Sequence, residues 1–335
     1  MESDRIDVGD VPPERVPVVL DPAVDRLVRA SAAPPHLQQL GPDDGRLALL
    51  ESQEHAGDDE RVHARFAVAP LEPSGLVGFT VFRPAHLPGP LPVVLYVHGG
   101  RWMLGDGRTH ARLVRELALA SGAAFVVPEY TRTPEARYPV AIEECYSLLT
   151  WTVANATDLD LDGIRLAVAG DCAGATLATA LTMLSKQRGG PRIRAQLLYY
   201  PLTDPSCDSR SHRLFADGYL LSSEQTHWYW QEYADRPADL TEPTAAPLRA
   251  APQQLTGLPP ALVISAEADV VRDEAEEYAR QLRAAGVAVT ATRYLGTTHD
   301  FVSLRALQHT PAARAAISQG AAFLSEALAL ERNTG

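Results

Sequence analysis

The sequence predicts an α/β protein, with eight strands in one mostly parallel sheet and helices on both faces. Three observations predict it. Apolar, β-rich runs alternate with segments of helical period through most of the 335 residues, and such alternation builds parallel sheets. The first two strand candidates instead follow one another directly, as a hairpin does. The clusters richest in Gly, His, Cys and Asp all fall where a strand ends, the edge at which such sheets bind ligands.

The elements follow in order. "DPAVDRLVRA" (21–30) places Val24, Leu27 and Val28 at helical spacing behind Asp21 as N-cap, and "GPDDGRLALLESQ" (41–53) forms a second short helix. Pro34 and Pro35 break the chain between them. "RVHARFAVA" (61–69) and "GLVGFTVFRP" (75–84) alternate as strands across the turn "EPSG". "PVVLYVHGG" (92–100) is continuously apolar, as expected for a strand covered on both faces. A helix at 109–121, a strand at 123–130, a helix at 140–154, a strand at 164–171, a helix at 173–188 and a strand at 194–201 keep the alternation. The segment 202–258 interrupts it and carries the helical "SSEQTHWYWQEYA". A strand at 260–269, a helix at 273–285, a strand at 287–295 and a helix at about 311–330 complete the pattern. No linker divides the chain, which reads as one domain with an N-terminal appendage.

Bulk properties exclude several functions. A net charge of −12 repels phosphate backbones, so no nucleic-acid partner is expected. The acidic start "MESDRIDVGDVPPERVP" has neither a basic nor an apolar leader region, and no run approaches the ~18 apolar residues of a membrane span. Three cysteines do not make a disulfide framework. A cytoplasmic protein is expected, with no cofactor. His110, His212, His227 and His309 have no metal-ligand spacing, so no metal site is expected either.

The strand ends carry "HGGRW" (98–102), "GDCAG" (170–174), "EADVVRDE" (267–274) and "TTHDF" (297–301). Together they point to nucleophilic acyl transfer. Gly170 and Gly174 let a strand–turn–helix elbow close around Cys172, while Ala173 keeps the approach to it open. The amide end of the following helix favours an anion there. His299 is placed to exchange the thiol proton, and Asp269 to orient His299 and stabilise its charged form. The amides of Gly99, Gly100 and Ala173 form the expected oxyanion hole, each donor typically worth about 3 kcal/mol. Arg101, Trp102, Tyr219 and Trp228 are candidate substrate contacts. Asp171 and Glu135 are candidate supports around the elbow, and His98 a support of the oxyanion loop. Cys145 and Cys207 read as ordinary packing and loop residues.

These motifs resemble those of the hormone-sensitive-lipase-like group of α/β-hydrolase esterases, over a stretch from about Asp21 to the C-terminus. The group's HGGG is similar to residues 98–101, its YRLAPE…FPA to "YTRTPEARYPVA" (130–141), its GDSAGG to "GDCAGA" (170–175), its DPLRDE to "DVVRDE" (269–274) and its HGF to "HDF" (299–301). The resemblance implies the α/β-hydrolase fold. It divides the chain into N-terminal cap helices (1–55) and a catalytic domain (56–335), with a cap insertion at about 205–245. It assigns the acid to Asp269 rather than Asp273.

Three positions depart from the group's pattern: Cys172 replaces its Ser, Arg101 its third Gly and Asp300 the Gly after its His. The expected function is therefore an esterase, thioesterase or acyltransferase acting through a thioester, with a small acyl substrate, free or carrier-bound. Arg101 either turns to the rim or contacts a substrate anion. The alternatives are a site that lost its nucleophile, a ligand-binding module, or a lyase or dehydratase on the same fold. A homodimer through the last strand or helix is left open by analogy.

Overall fold

The computed structural model describes residues 18–53 and 59–329. The parts of the expected N-terminal cap at 1–17, 54 and 55 lie outside the described residues. The chain opens with α1 (Pro22–Ala30) and α2 (Pro42–Gln53), then the hairpin β1 (Val62–Leu71) and β2 (Gly75–Pro84). β3 (Leu91–Val97), α3 (Ala111–Ser121), β4 (Ala124–Pro128), α4 (Val140–Ala154), β5 (Leu161–Asp171), α5 (Ala173–Arg188) and β6 (Gln196–Tyr199) alternate. The cap segment supplies α6 (Arg210–Leu214) and α7 (Ser223–Tyr233). α8 (Pro252–Leu255), β7 (Ala261–Ala268), α9 (Arg272–Ala284), β8 (Val289–Thr298) and α10 (Pro311–Leu328) follow.

The strands form one sheet in the order β1-β2-β4-β3-β5-β6-β7-β8. β1 and β4 pair with β2 antiparallel, and the remaining neighbours are parallel. Burial explains the continuous apolar run: Val93 to Val97 are all closed to solvent, because helices cover both faces of β3. α5 has no exposed face over its first thirteen residues, all of which are buried. It is therefore sandwiched rather than laid on the surface. The strand order reverses on either side of β3, and β3 and β5 lie side by side there. Their carboxyl ends open the crevice in which such sheets place ligands.

Local chemistry sets the ends of the cap helices. Asp21 caps α1 by accepting from the Ala23 amide at 2.8 Å, as the sequence predicts. Ser222 and Gln225 cap α7 reciprocally, at 3.1 and 3.0 Å. Arg46 of α2 fastens the cap to the body: its guanidinium donates to the carbonyls of Met103 and Thr133, each at 2.9 Å, and to Glu135 at 2.6 and 2.7 Å. Gln53 continues the seam to the carbonyl of Ser303 at 2.7 Å.

Several strand bounds differ from expectation: β3 ends at Val97 rather than at 100, β4 spans only Ala124–Pro128, and β5 begins at Leu161 rather than at 164. β6 stops at Tyr199 because Tyr200 takes φ 37, outside any strand geometry. β8 runs on to Thr298, because the pairing with β7 shifts register between Ala266 and Ala268 and Gly296 takes φ 68. That irregularity lets Thr298 pair with Ala268, so His299 and Asp269 leave their strands side by side.

Candidate active site

The elbow between β5 and α5 holds Cys172 at φ 53 and ψ −128. A non-glycine residue there stores about 1–3 kcal/mol of strain. The glycines on either side are required by contact. A Cβ on Gly174 would collide with the carbonyl oxygens of Val97 and His98, and one on Gly170 with the backbone of Gly174. The Cys172 amide donates to the Tyr199 carbonyl at 2.9 Å, which ties the elbow to β6.

Asp269 and His299 are both buried. His299 Nδ1 donates to Asp269 Oδ2 at 2.8 Å, since an ionised carboxylate only accepts. Asp269 also accepts from the Val271 amide at 3.1 Å, which fixes the carboxylate in turn. His299 Nε2 is buried with no hydrogen-bond partner among the described residues. The Cys172 sulfur, a ring nitrogen of His299 and a carboxylate oxygen of Asp300 lie within 4.8 Å of one another. Burial would push the imidazole down, but the charges of Asp269, Asp300 and Cys172 outweigh it, and the net direction is well above the ordinary 6.5. The same sulfur, nitrogen and carboxylate are spaced closely enough to hold a metal ion, which no sequence spacing signals. A cation there would have to compete with the Arg101 guanidinium for Asp300.

The loop after β3 is held from below. Tyr96 donates to Asp171 Oδ1 at 2.6 Å, and His110 Nε2 meets Asp171 Oδ2 at 3.3 Å. Burial raises Asp171, but the His110 charge and these hydrogen bonds outweigh it and the net direction is down. For His110 burial lowers and Asp171 raises, with a net rise. Each group thus favours the charged form of the other. His98 Nδ1 donates to the Gly99 carbonyl at 2.8 Å, and its ring stacks on Tyr130 at 4.3 Å. Burial, then the His110 charge, drives the His98 imidazole down to about 3, so it stays neutral.

Several expected residues fall elsewhere. The Gly99 amide donates to Asp171 Oδ1 at 3.1 Å, which removes it from the expected oxyanion hole. The Gly100 and Ala173 amides meet no acceptor among the described residues. Trp102 is not a wall of an open pocket: it stacks on Tyr233 at 4.1 Å and tilts against Trp230 at 4.5 Å, fully enclosed. Trp228 packs edge-on against Tyr229 at 4.9 Å, and Tyr219 against Phe215 at 5.2 Å. Glu135 does not reach the elbow, because Arg46 of the cap holds it. The missed residue is Tyr229, whose ring centroid lies 5.8 Å from the Arg101 guanidinium. Nothing in the sequence singles it out from the neighbouring aromatics of "HWYWQEY".

Comparison with known proteins identifies the family. Residues 94–303 match the family of the alpha/beta hydrolase fold. The chain belongs to the alpha/beta-hydrolase family. A putative alpha/beta hydrolase, R526, of Acanthamoeba polyphaga mimivirus is 32% identical over 295 residues, 88% of this chain and 84% of the relative. Esterase LipI of Mycobacterium tuberculosis is 34% identical over 309 residues, 89% of this chain and 93% of the relative. The crystal structure of a thermostable esterase from Pseudomonas putida ECU1011 superposes with a TM-score of 0.91 at 39% identity, over 94% of this chain and 99% of that one. The chain is thus an alpha/beta-hydrolase enzyme of the ester-hydrolase type, within the hormone-sensitive-lipase-like group that its motifs resemble. Among the described residues, no helix is long and apolar enough to cross a membrane.

Proposed function

We propose that this hydrolase is a carboxylesterase acting through a Cys172–His299–Asp269 triad and a thioester acyl-enzyme. One observation carries the reading. His299 is pinned by Asp269 at 2.8 Å, its other ring nitrogen is buried with no hydrogen bond and only the Asp300 carboxylate at 3.6 Å, and the Cys172 sulfur lies within 4.8 Å of the ring. A buried ring nitrogen that makes no hydrogen bond is costly unless something completes it. A proton shuttled between sulfur and substrate does so.

The chemistry follows from that arrangement. His299 Nε2 holds the proton exchanged with Cys172, and the sulfur attacks the ester carbonyl carbon as the thiolate, forming an S–C bond. The carbonyl oxygen becomes an oxyanion, with the Gly100 and Ala173 amides as the donors left to receive it. The intermediate collapses, the C–O bond breaks, and the departing alkoxide takes the proton from His299. Water then gives a proton to His299 and attacks the thioester, releasing the acid and restoring the thiol. A thioester is also receptive to amines and thiols, so transfer to such acceptors competes with water. The small acyl substrate enters as a free ester or on a carrier arm.

The test uses a simple activated ester. Cleavage of p-nitrophenyl acetate, abolished in Cys172→Ala and in His299→Gln, is the expected result. Hydrolysis that survives Cys172→Ala contradicts the reading, as does a chain that binds esters without cleaving them.

A further inference from the structure

The three positions that depart from the group's motifs meet in space. Arg101 and Asp300 stand 199 residues apart, yet Arg101 Nη2 donates to Asp300 Oδ2 at 2.6 Å. A carboxylate oxygen of the same Asp300 lies within 4.8 Å of the Cys172 sulfur. The two side chains are only 8% and 13% exposed. Both residues hold left-handed backbones, Arg101 at φ 56 and Asp300 at φ 62, where the group's glycines would fit without strain. A buried ion pair in place of two glycines is a poor choice for stability, so its use has to lie elsewhere.

Asp300 engages one edge of the guanidinium. Among the described residues, the remaining N–H groups of Arg101 meet no acceptor, and the side chain faces a cavity of about 150 Å³ beneath the cap. Leu37, Gln38, Leu220, Gln225 and Tyr229 wall that cavity, and no acidic residue lines it. Ser31, Pro35 and His36 complete the lining, and the Gln225 side-chain amide donates to Gln38 at 3.1 Å, so part of the polar wall is already ordered. A planar guanidinium with one edge anchored on a carboxylate presents its other edge to a second planar anion.

We propose that Arg101, held by Asp300, binds an ionised carboxylate on the substrate. The preferred esters are then half-esters of short dicarboxylic acids or acyl esters of short hydroxy acids. The inference rests on the ester-hydrolase reading of the site and names its substrate class. The Cys172 sulfur lies within 4.8 Å of an Asp300 carboxylate oxygen and Arg101 Nη2 lies 2.6 Å from Asp300 Oδ2, so a spacer of about two to four carbons, at roughly 1.5 Å per bond, separates the reacting carbonyl from the anion.

The first experiment needs no turnover. Alkylation of Cys172 by iodoacetamide is timed with succinate, glutarate or the neutral isostere succinamide present. Succinate or glutarate slows it about tenfold at concentrations where succinamide does nothing, as a charge-assisted contact predicts. Arg101→Gln loses that protection. So does Arg101→Gln combined with Asp300→Asn, which strands no buried charge. The second experiment compares kcat/KM for monoethyl succinate and 3-acetoxypropionate against diethyl succinate and methyl 3-acetoxypropionate, which separates a carboxylate on the acyl side from one on the alcohol side. A preference of about tenfold for one charged member, carried in KM and lost in the double variant, is expected. Equal protection by succinamide overturns the proposal, and so does a preference that survives in the double variant. Protection by succinate with no ester turned over leaves the carboxylate site standing and removes the ester-hydrolase reading instead.

Discussion

Replacing Asp300 by glycine removes the carboxylate 2.6 Å from Arg101 and leaves a guanidinium whose side chain is 8% exposed. Removing one partner of a buried ion pair costs about 3–5 kcal/mol. Glycine returns about 1 kcal/mol, because position 300 lies at φ 62. The net loss for Asp300→Gly is therefore about 2–4 kcal/mol. The same reasoning covers Arg101→Gly, where φ is 56. The double variant removes both charges and relieves both backbones, so it lies within about 1 kcal/mol of the parent. The coupling between the two positions is then about 3 kcal/mol or more. Urea unfolding of the four proteins at neutral pH measures it. Losses that simply add, to within about 0.5 kcal/mol, refute the ion-pair account.

Three further outcomes are expected. Gly174→Ala forces a Cβ against the carbonyl oxygens of Val97 and His98; it loses about 3 kcal/mol or fails to fold, seen as a drop in the melting temperature. Arg46→Ala frees the cap helix from the Met103 and Thr133 carbonyls; it costs about 2 kcal/mol and exposes the loop near 101–104 to hydrogen exchange. His299 is held above its ordinary 6.5 in the folded chain. A group raised on folding adds stability that is complete below its unfolded value and lost as pH climbs through the folded one. Urea midpoints of the parent minus those of His299→Gln should thus be constant below about pH 6 and shrink on the alkaline side; a difference that grows with pH contradicts the shift.

The sheet was legible in the sequence because its signal is local. Continuous apolar runs such as Val93 to Val97 mark strands covered on both faces, and the helical period of 140–154 reappears unchanged as α4. The site was legible in part for the same reason. Small residues around Cys172 and polar residues at the ends of β7 and β8 stand at fixed places along the chain. What escaped depends on contacts between distant segments. Nothing near Gly99 indicates that Asp171, 72 residues later, takes its amide. Arg101 and Asp300 look like two separate oddities until the fold joins them. Trp102 reads equally well as pocket wall or core, and only the stacking of Tyr233 on its ring decides for core. The extension of β8 to Thr298 depends on a register shift in β7, a property of the pair rather than of either strand.

The central claim is that a sulfur takes the acyl group. Rapid quench of the enzyme with p-nitrophenyl acetate, followed by peptide mass spectrometry, tests it most directly. An added acetyl group on the peptide containing Cys172, labile to hydroxylamine and gone on longer incubation, is the predicted result. Ester turnover with that peptide unmodified throughout, or with the acetyl group on another residue, would contradict it.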